Sequence, residues 1–121
     1  MDIAKILNEL KKEAGFKDKV GMVLIHNGIV RGISKSGKKV KKLKILEVNY
    51  ALLEKLKKRF ECNPGIYKII IDARQGEFYP GDDILWIIVA GDFRENVKRV
   101  LSEILDEIKL RGVKKQEILE E

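Results

Sequence analysis

Apolar residues recur along this chain with two periods, and the switches between them sketch the fold. Ile3, Ile6, Leu7 and Leu10 fall at i, i+3, i+4 and i+7, which predicts a short amphipathic helix over residues 2–15, with Gly15 placed as a C-terminal cap. Met22-Val23-Leu24-Ile25 predicts a buried strand over residues 21–26. A second strand is expected over residues 29–33, with Asn27-Gly28 as the turn between them. A lysine-rich segment centred on Ser36-Gly37 follows and leads into a third strand over residues 43–48.

Asn49 stands as an N-cap before Leu52, Leu53, Leu56 and Phe60, one face of a helix reaching about Cys62. Asn63-Pro64-Gly65 ends it, and the β-branched run 66–72 reads as a strand. A turn-rich stretch, 74–83, separates that strand from residues 84–90, which are apolar on both faces and so are expected at the centre of a sheet. Asp92-Phe93-Arg94-Glu95 has the spacing of a capping box. It opens a helix whose stripe is Val97, Val100, Leu101, Ile104, Leu105 and Ile108. Residues 113–121 carry no clear period. The order α-β-β-β-α-β-β-α predicts an α+β domain spanning residues 1–121, a mostly antiparallel sheet with helices packed on one face.

Composition narrows the classes of function. The apolar run 84–90 is far shorter than the roughly 20 residues that span a bilayer, so no membrane association is expected. Met1-Asp2-Ile3-Ala4-Lys5 lacks the basic and apolar regions of a secretory leader, and Cys62 is alone, so a soluble cytoplasmic protein without disulfide, metal or cofactor is expected. The net charge of +6 has one address: Lys35, Lys38, Lys39, Lys41, Lys42 and Lys44 lie within residues 34–44 with no acid among them. Such a segment invites a nucleic-acid reading. It contains no aromatic residue for base stacking and no arginine, so a solvated surface hairpin is the better expectation.

The familiar catalytic constellations are missing. There is no nucleophile elbow, no phosphate-binding P-loop and no His/Cys cluster. His26, the only histidine, reads as a structural residue at a strand end, and Cys62 as a small buried hydrophobe. Chemistry must then rest on lysines, arginines, carboxylates or backbone. Two places stand out. One is Gly76-Glu77-Phe78-Tyr79-Pro80-Gly81-Asp82-Asp83, where Pro80-Gly81 suits the centre of a type II turn. The other is the cationic end of the last helix, Lys109, Arg111, Lys114 and Lys115.

These motifs together resemble the large, catalytic subunit of molybdopterin synthase. In that family a Gly-Glu turn with aromatics and Pro-Gly-Asp precedes a hydrophobic strand and an arginine that opens a helix, here Arg94. An early Gly-x-Val-Arg strand is matched by Gly28-Ile29-Val30-Arg31, and the lysine ending the last helix by Lys109. A later aromatic-Lys-x-Glu segment is matched in its last three positions by Lys115-Gln116-Glu117. The resemblance runs from about Lys19 to Glu117.

The resemblance implies the family's hammerhead-like α+β fold, a homodimer, and a heterotetramer with a ubiquitin-like small subunit ending in a Gly-Gly thiocarboxylate. It further implies sulfur transfer from that tail to a cyclic pterin monophosphate, building a dithiolene in molybdenum cofactor biosynthesis. By position, Lys109 and Lys115 would be catalytic, a crowded lysine being able to act as acid, base or nucleophile. Arg31, Arg94 and Arg74 would grip the anionic substrate through planar, charge-assisted forks. The chain departs from the pattern at Phe93 and Ala73, where the family usually carries histidine, and at Lys114, where it carries an aromatic. A non-catalytic relative acting as a protein-binding scaffold therefore stands beside the enzyme reading.

Overall fold

Nine residues, Asp83–Gly91, form the strand around which the molecule is organised. In the computed structural model, which describes residues 1–121, the helices are α1 (Ile3–Lys11), α2 (Phe16–Lys19), α3 (Tyr50–Glu61) and α4 (Arg94–Glu107). The strands are β1 (Met22–Ile29), β2 (Val40–Val48), β3 (Ile66–Ala73), β4 (Gly76–Phe78), β5 (Asp83–Gly91) and β6 (Val113–Leu119). A π-helical turn, Ile108–Gly112, links α4 to β6. The strands make two three-stranded antiparallel sheets, ordered β1-β5-β3 and β4-β2-β6. The α+β class is as expected, and β5 is central to its sheet as its two apolar faces require.

Alternation along β5 divides the interior. Ile87 and Val89 face the main core, which Leu53, Leu56 and Phe60 of α3 and Val97, Val100 and Ile104 of α4 complete. Leu43, Ile45, Val48 and Phe78 close the same core from the second sheet. Trp86, Ile88 and Ala90 point the other way and are also buried. The N-terminal helices are tied to this second face: Glu13 bonds Lys68 Nζ at 2.6 Å and accepts from the Tyr67 hydroxyl at 2.5 Å. Helices therefore flank the first sheet on both sides. No helix is long and apolar enough to cross a membrane.

Several local expectations need correction. Residues 21–33 do not make a hairpin. Asn27 pairs with Trp86 and Gly28 with Leu85, so β1 runs straight through the Asn-Gly pair because β5 offers it a continuous partner. Gly15 has φ −82°, an ordinary helical value, and opens α2 instead of capping α1. The capping box does not form: Asp92 Oδ1 accepts from Phe93 N and from Asn96 Nδ2 at 2.9 Å. Cys62 is exposed, its thiol turned to the Lys58 carbonyl at 3.3 Å. Residues 113–121, left without structure by their pattern, supply β6, paired along β2 from Val48–Val113 to Val40–Leu119.

Other expectations stand. Asn49 caps α3 through Leu52 N at 3.0 Å. The lysine segment begins as a surface hairpin. Ser34 N donates to Lys38 O at 2.8 Å, and Gly37 takes φ +85° at the tip, where a side chain would be strained. Gly81 has φ +95°, the left-handed value a type II turn requires after Pro80.

Candidate functional site

Where the two sheets meet, the end of β1, the start of the lysine hairpin, the end of β3, the π-helical turn and β6 surround a cavity of about 510 Å³. Its floor is apolar, with Ile45, Ala73, Ile84, Leu85, Ile108 and Val113. Its rim is cationic: Arg31, Lys35, Arg74, Lys109 and Lys115. No Asp or Glu lines it. Five positive groups around a partly apolar hollow, with no acid to compensate them, give it a potential that favours anions.

Each cation has a structural reason for being there. Lys109 follows Ile108, which is buried in the core at 1% exposure and anchors the π-helical turn. Such turns swing the following side chains off the helical stripe and recur at functional sites. Asn49 N holds the far end of the turn, donating to Gly112 O at 2.8 Å. Lys115 is carried by β6 opposite Ile45. Arg31 follows the end of β1, beside a register irregularity in which Ile84 of β5 is passed over between the Gly28–Leu85 and Ile29–Asp83 pairs, and it lines the same hollow as His26.

Arg74 is more committed. Its guanidinium donates to the Asp83 carbonyl at 3.0 Å and stacks 4.7 Å from the Phe78 ring centroid, so it braces the Gly76–Asp83 turn as well as lining the cavity. Arg94 does not join the others. It stands at the start of α4 with a 75% exposed side chain, loosely paired with Glu95 at 4.0 Å, beside the exposed Phe93 ring. So Arg31, Arg74, Lys109 and Lys115 are brought together within one chain, and Arg94 is left outside.

Three lining residues escape sequence reasoning: His26, Asn27 and Lys35. His26 is half-buried, and burial, with the Lys109 charge adding to it, holds the imidazole below its ordinary value of 6.5. Gly28 makes room for it, since a Cβ there would sit 3.3 Å from His26 Nε2 and 3.2 Å from Leu85 Cβ. The available signal was the pair His26 and Gly28 on one face of a strand, two residues apart. Lys35 alone of the lysine segment reaches the cavity. Lys42 and Lys44 turn instead to Glu77 on β4, at 3.4 and 3.7 Å.

A second hollow of about 450 Å³ is lined by Asp18, Lys19, Gly65, Ile66, Tyr67 and Asp92, where acids and base offset each other. No group of three or more His, Cys, Asp or Glu side chains is placed to hold a metal ion.

The chain is similar to known proteins. The family described as "MoaE protein" matches residues 1–111, a stretch that includes Arg31, Arg74, Arg94 and Lys109 and stops short of Lys115. No curated protein matches the chain significantly. Among solved structures, molybdopterin synthase from Staphylococcus aureus is 25% identical with a TM-score of 0.72, covering 84% of this chain and 77% of that one. A molybdopterin cofactor biosynthesis protein E from Burkholderia multivorans shares the fold at 22% identity and a TM-score of 0.74, over 98% of this chain and 84% of that one. The complex of subunits 1 and 2 of a molybdopterin-converting factor from Helicobacter pylori does so at 18% identity and 0.72, over 98% and 80%.

Proposed function

The chain belongs to the MoaE protein family, and from that membership we propose that its cationic cavity is where sulfur is delivered to a pterin. The protein acts in molybdenum cofactor biosynthesis as the catalytic subunit of molybdopterin synthase. The observation that supports the placement of the chemistry is the meeting of Arg31, Lys109 and Lys115 around one carboxylate-free hollow.

In this reading a cyclic pterin monophosphate lays its flat ring on the apolar floor and its phosphate among the rim cations. Arg31 grips the phosphate as a planar fork, with Arg74 a weaker partner because its guanidinium is already engaged. The second anion, the Gly-Gly thiocarboxylate of a ubiquitin-like small subunit, enters beside Lys109 and Lys115. Lys109 is the acid–base or nucleophilic group and Lys115 its neighbour in the same role. The subunit pairing in the Helicobacter pylori complex is the precedent for such a partner. Arg94, exposed next to Phe93, reaches a cavity only if a second copy supplies it, so the working form is a homodimer bearing two small subunits in the cytoplasm.

The test is reconstitution. Mixed with a thiocarboxylated small subunit and the cyclic pterin monophosphate, the chain is expected to yield a dithiolene product. No product, with a competent large subunit turning over alongside, contradicts the enzyme reading. Tight binding of the small subunit without product is the signature of a scaffold.

A further inference from the structure

The cavity rim consists of donors. Charged Arg and Lys side chains carry N–H groups and no lone pair free to take a proton. With no Asp or Glu in the lining, the side chain that can accept one without first giving up its own is His26. Asn27 and backbone carbonyls accept hydrogen bonds and do not become protonated under ordinary conditions. We propose that His26 is the proton acceptor of this cavity, taking a proton from an O–H or N–H of the bound substrate and returning it to the group that leaves. The inference rests on the sulfur-transfer reading and adds a residue to it.

Position supports the assignment. His26 sits on β1, its ring half-buried and packed over Gly28, in the same hollow as Lys109 and Arg31. The charged groups facing that hollow are Arg31 beyond β1, Lys35 of the hairpin, Arg74 after β3, Lys109 of the π-helical turn and Lys115 of β6. From β5, Ile84 and Leu85 contribute no charge. Burial favours the neutral imidazole, and the Lys109 charge acts in the same direction. At neutral pH the ring therefore has a lone pair to offer.

The step balances without a further reagent. A substrate O–H or N–H bond breaks as an imidazole N–H bond forms, giving an imidazolium. The electron pair left on that oxygen or nitrogen forms the new bond to the electrophilic carbon, whose bond to the departing group breaks. The imidazolium, half-buried beside Lys109, is a stronger acid than a free one. Its N–H bond then breaks to protonate the group that departs with the electron pair of its own broken bond, and His26 returns to neutral.

Because His26 is the only histidine, its imidazole signals in an NMR titration need no assignment. The ring is expected to titrate below 6.5, to move up in Lys109→Gln, and to move up again when inorganic phosphate occupies the cavity of the unsubstituted chain. In the reconstituted synthase, kcat/KM is expected to fall on the acid side along the same titration. His26→Gln should lower kcat by about 100-fold or more and abolish that limb, leaving the affinity for the small subunit unchanged. A merely structural histidine would not set the pH profile. Turnover within about twofold of the unsubstituted chain in His26→Gln overturns the proposal, as does an imidazole that ignores both phosphate and Lys109→Gln. An unsubstituted chain without turnover counts against the sulfur-transfer reading itself, whereas turnover that survives His26→Gln counts against His26 alone.

Discussion

Lys109 owes its place to a backbone irregularity more than to its neighbours in sequence. Continued as an α-helix, α4 would carry it around the stripe; the π-helical turn anchored by Ile108 delivers it to the cavity instead. Because its side chain is exposed, Lys109→Ala is expected to leave the melting temperature unchanged and to lower kcat by roughly 10²- to 10⁴-fold. Arg31→Ala should raise KM for the pterin by about tenfold or more, the worth of one charge-assisted fork, with a smaller effect on kcat. Steady-state kinetics separates the two. Resemblance located Arg31, Arg74, Lys109 and Lys115 in the sequence; it could not place His26 or Lys35. Both depend on tertiary facts: the junction of the sheets that brings β1 beside the π-helical turn, and a hairpin that folds Lys35 back toward the cavity.

At the scale of elements, local signals were legible in part: the cap of α3 and the stripe of α4 form, whereas Gly15 opens α2 and the capping box at Asp92 does not close. Asn49 capping α3 and the stripe of α4 are each written within a few residues. The larger failures involved partners far away in the chain. The Asn-Gly pair in β1 is held straight by β5, some 60 residues on, and β6 lacks an alternating pattern because it is a polar edge strand defined by β2. Stability should follow the same division. Ile104, with no exposed surface at the heart of the core, is expected to cost about 2–5 kcal/mol as alanine, measured by urea unfolding. Glu13 ties the N-terminal helices to β3, its carboxyl held below the ordinary 4.5, first by the Lys68 hydrogen bond and then by that of Tyr67. A depressed carboxylate contributes fully above its unfolded value and loses that contribution as pH falls through the folded one. Stability should therefore decline below about pH 4.5, and Glu13→Gln should flatten that decline.

For the whole molecule, net charge is a poor guide to the site. The excess of +6 lies in one segment, yet only Lys35 of its six lysines faces the cavity, and Lys42 and Lys44 are partnered by Glu77. The other rim cations, Arg31, Arg74, Lys109 and Lys115, come from the charge-balanced remainder, gathered by the junction of two sheets. Arg94 is the exception that points beyond one chain. If a second copy supplies it, a mixture of Arg94→Ala and Lys109→Ala chains contains hybrid dimers with one intact cavity each. About a quarter of the unsubstituted activity should then return from two inactive parents. Were Arg94 to act within its own chain, the mixture would stay inactive.

The central claim, that the cavity around Lys109 is where sulfur changes hands, is tested most directly by a single-turnover experiment with a small subunit carrying labelled sulfur in its thiocarboxylate. With the unsubstituted chain and the cyclic pterin monophosphate, the label should appear in the pterin. With Lys109→Ala it should remain on the small subunit although the complex still forms. Label transfer at an equal rate in both would contradict the account.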